Sequence, residues 1–228
     1  MSTRQAQERE AGPARYWAIP LRTRVVTEQE DLPALVARYT RHVARPGDAV
    51  ALSESMVAIA QGRAVRPESV RPRLLARVLC RFAHPDGSLA TPAAMELALR
   101  EAGTGRILLA AAAALAGRLL RRRGWFYRVA GHGLRYIDDI GGTLAPYDRH
   151  IVLGPVRTAE LAEAIRQATG LDVLIVDANS LGNVDVVAYA GSQPLEELVE
   201  VLKANPQGND DEQTPIVLLR KVPPPPGP

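Results

Sequence analysis

The run Leu171–Ala178, LDVLIVDA, constrains the fold most. It is an apolar stretch of strand length, preceded by Gly170 and closed by Asp177 and small polar residues, so it reads as a buried strand. A carboxylate at the mouth of such a strand is costly to bury unless it is hydrogen-bonded or binds a cation. Asp177 therefore either caps the turn that follows, through backbone amides, or holds a charged ligand.

Further elements surround this strand. YWAIPLRTRVV near Trp17 reads as an opening strand, and Asp31 with Pro33 opens a helix over ALVARYTRHV. A PGD turn launches the strand AVALSES. From Pro72 to Arg123 the pattern is helical: RPRLLARVLCRF, then AAMELALREAG opened by Thr91-Pro92, then the alanine-rich ILLAAAAALAG. GHGLRYIDDIGGTLAPYDRH is glycine-punctuated and too polar for a long element, the kind of loop that carries sites. The last third alternates again, with Thr158 capping AELAEAIRQATG, the buried strand, a second strand NVDVVAY, a helix PLEELVEVLKA and a final strand PIVLLRK. Mixed helices and strands over the whole length predict an α+β protein, with the central helices as a separate layer.

Composition narrows the function classes. At 228 residues and 46% hydrophobic the chain buries a real core. A formal charge of +3, spread along the chain, gives no electrostatic call for nucleic acid. The exception is Arg121-Arg122-Arg123 with Arg118 and Arg128, read first as a solvated helix end and second as a site for an anionic partner. The lone cysteine, Cys80, sits in an apolar pattern as an inert core thiol, and the chain reads as cytoplasmic. Residues 1–15 are polar and read as a loose tail, residues 223–228 as a proline-rich tail. The alanine-rich run is shorter than the roughly 20 residues of a membrane span, so no membrane partner is expected.

Acidic loops are the candidate chemistry. Asp138-Asp139 precedes IGG, with Gly141 allowing close backbone approach, and NDDEQTP precedes the final strand. With Asp177 they offer oxygen ligands for a hard divalent cation such as Mg²⁺ or Mn²⁺. Separate solvated acidic loops are the alternative. The four histidines show no zinc spacing, and there is no GxSxG, Walker loop or dinucleotide fingerprint.

Four stretches in order resemble the coenzyme F420 γ-glutamyl ligases: GDAVALSESMVAIAQGRAV, YIDDIGG, LIVDAN and NPQGNDDEQTPIVLLRK. The resemblance runs from about Trp17 to Lys221 within an expected domain of 16–222, with a helical subregion over 72–123, and is strongest to a shorter bacterial branch. It implies a two-lobed α+β fold of mixed sheets and helices, a homodimer, and GTP-dependent addition of L-glutamate to a carboxylate of a phosphorylated coenzyme, by way of an acyl phosphate. Asp138 and Asp177 fall on the metal-binding aspartates of that family, with Asp139 beside them. Glu54, Ser55, Gly62, Arg63 and Gly141 fall on its nucleotide loops, and Gly208, Asn209, Asp210, Asp211, Glu212, Gln213 and Thr214 on the last of them.

The chain also departs from that pattern. Ile59 stands where the family has a phosphate-reaching lysine, Ala178 replaces a threonine, and Asn209 replaces an acidic ligand. A stretch between DANSLGN and the last helix is missing. The expectation is therefore an amide-forming ligase, with a catalytically inactive binding module on the same fold as the alternative.

Overall fold

The computed structural model describes residues 5–83, 87–119, 125–138, 140, 145–179, 181–208 and 212–223. In chain order the elements are β1 (Gln7–Ala11), β2 (Ala14–Leu21), α1 (Leu32–Thr40), β3 (Ala49–Ser53), α2 (Glu54–Ala60) and β4 (Ala64–Val65). Then come α3 (Leu74–Leu79), α4 (Pro92–Ala102), α5 (Thr104–Leu119), α6 (Trp125–Ala130) and β5 (Ile151–Val152). The chain closes with α7 (Thr158–Thr169), β6 (Asp172–Ala178), β7 (Val184–Ala190), α8 (Leu195–Leu202) and β8 (Ile216–Lys221). The architecture is α+β with a mixed sheet, as expected. It divides into two compact units, Met1–Gly62 with Val156–Pro228, and Arg63–Pro155.

The first unit is built on a six-stranded sheet of order β1-β2-β8-β3-β6-β7. Only β3 and β6 run parallel; their neighbours are antiparallel. The alternation of strand side chains sorts apolar residues onto two faces. Val50, Leu52, Val173, Ile175, Ile216 and Leu218 pack with α1, α2 and α7. Ala51, Leu174, Val176, Val217 and Leu219 pack with Leu198, Val201 and Leu202 of α8. LDVLIVDA is thus covered on both sides, as its unbroken apolar run requires.

Local signals explain some boundaries and fail at others. Asp31 accepts the Ala34 amide at 3.1 Å and starts α1; Thr91 does the same for Ala94 at 3.3 Å and starts α4. Thr158 is not a cap: it is the first helical residue, and Arg157 at the cap position is left-handed with no side-chain cap. The α3 pattern is cut short at Leu79 and tightens into a 3₁₀ turn over Cys80–Phe82. The expected N-terminal tail is corrected too. Gln7–Ala11 pairs in register with Ala14–Ala18 as an edge strand, and its Glu8, Arg9 and Glu10 give that edge the charged character that discourages further pairing.

In the second unit, helices α3 to α6 enclose a core that includes Ala76, Met95, Leu99, Ile107, Ala110 and Ile137, with the short β4-β5 ladder beside it. The alanine-rich helix is partly buried, as read: Ile107 and Ala110 face the core while Leu109 is 64% exposed. Gly154 admits no side chain, because a Cβ there would lie 2.8 Å from the Gly133 carbonyl and 2.9 Å from Tyr136 Cβ.

Glu96 on α4 is buried and receives the Arg73 amide at 3.1 Å and the Arg73 and Arg100 Nε groups at 3.0 Å each. Burial pulls its carboxyl upward, but the hydrogen bonds from Arg73 and Arg100 outweigh this and hold it below the ordinary 4.5. A lowered folded-state value contributes stability above the unfolded value and loses it as pH falls below about 4.5 through the folded value. Glu96→Gln should therefore flatten the acid limb of the stability curve in that window, measured by urea unfolding across pH.

Candidate functional site

The parallel pair sets the site. Ser53 of β3 lies opposite Val176 of β6, so both strands end at the same edge of the sheet, and β8 begins there because Leu52 opposes Ile216. Glu54 and Ser55 therefore follow β3, Asp177 closes β6, and the segment 212–215 enters β8, all along one edge. In open sheets this carboxyl end is where ligands bind.

β3 passes into α2 without a loop. Glu54, only 2% exposed, is the first helical residue, where a carboxylate meets the positive end of the peptide dipoles. Ser55 is half-buried beside it. The Ser53 amide donates to the Pro215 carbonyl at 2.9 Å, which ties this junction to the last loop.

That loop is held from several sides. The Thr214 hydroxyl donates to the Gln207 carbonyl at 2.5 Å, Gln207 Nε2 donates to the Pro215 carbonyl at 3.3 Å, and the Thr23 amide donates to the Gln213 carbonyl at 2.9 Å. Thr214 and Glu212 are buried, so Thr214 works inside the loop as a staple. Asn205, Gln213 and Gly208 have φ of 45°, 54° and 79°. Gly208 is favoured by its left-handed backbone, and a Cβ there would stand 2.5 Å from Glu212 Oε2 and push that carboxylate aside. Gly208→Ala should cost about 1–2 kcal/mol of stability through backbone strain and displace the Glu212 carboxylate. Urea unfolding reads the loss of stability.

Asp177 is exposed at the end of β6. The turn after it is stapled by Asn179, whose Oδ1 accepts the Leu181 and Asn183 amides at 3.0 and 3.2 Å. The capping work proposed for an aspartate in this turn is thus performed by Asn179. Across the strand pair, Asp177 stands directly opposite Asp185 of β7. Sequence reasoning missed Asp185, a single acid within the apolar run NVDVVAY; no signal short of the strand register would find it.

Among the described residues, the remaining expected ones are held by contacts of their own. Gly62 closes the turn after α2, its amide donating to Ile59 O at 2.9 Å. Arg63 belongs to the second unit, where Nε donates to the Gly154 carbonyl at 2.6 Å and Nη2 pairs with Glu101 at 2.5 Å. Its guanidinium is engaged in holding that unit together. Asp138 is also in the second unit, fixed by a two-way backbone bridge to Val152 at 2.8 and 2.9 Å. Asp139, Gly141, Asn209, Asp210 and Asp211 lie outside the described residues, as does the arginine cluster at 121–123.

The sheet edge offers carboxylates and hydroxyls, an all-oxygen set that suits Mg²⁺ or Mn²⁺. Among the described residues no three Asp, Glu, His or Cys side chains converge to hold a metal by themselves. The set present fits the mode in which one or two carboxylates hold the ion and substrate phosphates supply further ligands.

The model of the F420-0:gamma-glutamyl ligase family matches residues 20–180 of this chain, well over half its length. The chain belongs to that family. The family is one of ligases in F420 biosynthesis, and its match takes in β3, α2, Asp138 and Asp177 and ends before β7 and the loop at 208–214. No curated protein matches the chain. Among the described residues no helix is long and apolar enough to cross a membrane.

Proposed function

We propose that this F420-0:gamma-glutamyl ligase family member is a GTP- and divalent-cation-dependent ligase that adds L-glutamate to a carboxylate of a phosphorylated coenzyme such as F420. The carboxylate oxygen takes the γ-phosphoryl group and GDP leaves. The glutamate amine then attacks the acyl carbon, phosphate departs with its bridging oxygen, and the amine gives up a proton as the amide forms.

The observation that supports this is the gathering of Glu54, Ser55, Asp177 and the stapled segment 212–215 at the carboxyl end of β3 and β6. Gly208 lets backbone approach the nucleotide, and Asp177 holds the cation. Mg²⁺ or Mn²⁺, when bound, offsets the charge of the phosphates. A homodimer is part of the reading, consistent with the apolar surface that Leu108, Leu109 and Leu115 leave exposed on α5; sedimentation as a monomer would remove that part.

The test is incubation with GTP, Mn²⁺, L-glutamate and an F420-type acceptor, with GDP and the glutamylated product followed by mass spectrometry. Glutamate-dependent GDP release with product formation is expected. The competing reading, a non-catalytic binding module, is favoured by Ile59, an apolar side chain 8% exposed on α2. GTP binding with no turnover over a panel of acceptors would select it.

A further inference from the structure

The pairing of β6 with β7 is regular from Val173↔Ala190 to Ile175↔Ala188, then skips a residue, so that Val176 opposes Val186 and Asp177 opposes Asp185. Val187 is left over as a bulge. The packing shows its effect: Val187 and Ala188 are consecutive yet both lie against the face covered by α1 and α7, whereas Val184 and Val186 lie against the α8 face. Asp185, between them, therefore projects to the α1/α7 face. Val173 and Ile175 occupy that face on β6, which places Asp177 there too. Without the bulge, Asp177 would meet Val186, and Asp185 would stand opposite Ala178 on the other face. Bulges re-aim side chains next to active sites, and this one brings two carboxylates into register at the sheet edge that carries Glu54 and Ser55.

We propose that Asp185 is a second cation-holding residue, sharing with Asp177 the divalent ion of the phosphate-transfer site. This rests on the cation reading given above and adds a residue to it. Directly opposed residues in an antiparallel pair have Cβ atoms about 4.5–5.5 Å apart, within reach of one ion at carboxylate–metal distances of about 2.0–2.1 Å. Two carboxylates from one rigid strand pair hold an ion before nucleotide arrives, so the ion's position does not depend on the phosphates alone. Asp185 lies beyond the segment matched by the family model, and its role follows from the register alone.

The experiment is titration of the full-length chain with Mn²⁺ alone, free ion being followed by electron paramagnetic resonance, for wild type, Asp177→Asn, Asp185→Asn and Asp185→Glu. Far-UV circular dichroism establishes that each variant is folded. Asp185→Asn should weaken Mn²⁺ binding by about 10- to 100-fold, as should Asp177→Asn, while Asp185→Glu, which keeps a carboxylate, should recover most of the affinity. Binding lost in Asp177→Asn but unchanged in Asp185→Asn would overturn the role of Asp185 and leave the cation reading intact. A wild-type chain that takes up no Mn²⁺ would overturn both.

Discussion

Asp177→Ala is expected to abolish the metal-dependent stabilisation of the protein by GTP and to lower ligase turnover by about 10²–10³-fold, the usual consequence of removing one group that stabilises transition-state charge. Asp177 is exposed and sits next to the end of β6, so its side chain contributes little to the core. Its backbone stays in the β6-β7 ladder whatever the side chain. Thermal unfolding separates the two effects. At GTP 100-fold above its Kd, with Mn²⁺ present, the wild-type chain should gain about 2.7 kcal/mol, whereas the variant should show its unliganded melting temperature with or without the additives. A variant still stabilised by GTP and Mn²⁺ would remove Asp177 from the site.

The second large effect is structural and lies at the other end of β3. Asp48, 3% exposed in the turn before that strand, receives Arg220 Nη2 at 2.7 Å, Arg220 Nε at 3.0 Å and the Arg45 amide at 2.9 Å. The hydrogen bond to Asp48 holds the guanidinium of Arg220 more firmly protonated than usual, against the opposing effect of burial. The same guanidinium donates to the Val43 carbonyl at 2.7 Å, so one charge pair joins the helix-to-strand turn to β8. Asp48→Ala leaves a mostly buried cation without its counter-ion and should cost about 3 kcal/mol, the low end for a broken buried pair because one edge of Arg220 remains exposed. Urea unfolding checks the loss. GTP affinity of the folded variant should be retained, since Asp48 precedes β3 and the loops proposed to hold nucleotide follow it; a variant of normal stability would show the pair to be dispensable.

Much of the framework was legible because its signals are local. Asp31 and Thr91 cap the helices they precede, and LDVLIVDA lies where an unbroken apolar run must lie, between two covered faces. β1 was not legible: QEREA has no apolar alternation, and only pairing with β2 makes it a strand. Thr158 misled because Arg157 takes the left-handed cap position itself. Asp177 stood out as a carboxylate closing a buried strand, whereas the bonds of Arg63, expected on a nucleotide loop, to Gly154 and Glu101 were not legible because they join distant segments.

The sequence by itself determined the helices with caps, the buried strands and the acidic residues that close them, because capping, propensity and burial act over a few neighbouring residues. The tertiary structure alone decided which strand ends share an edge and which carboxylates face each other. Those depend on hydrogen-bond register between distant segments, and a single bulged residue, Val187, moves Asp185 from one face of the sheet to the other and sets it against Asp177.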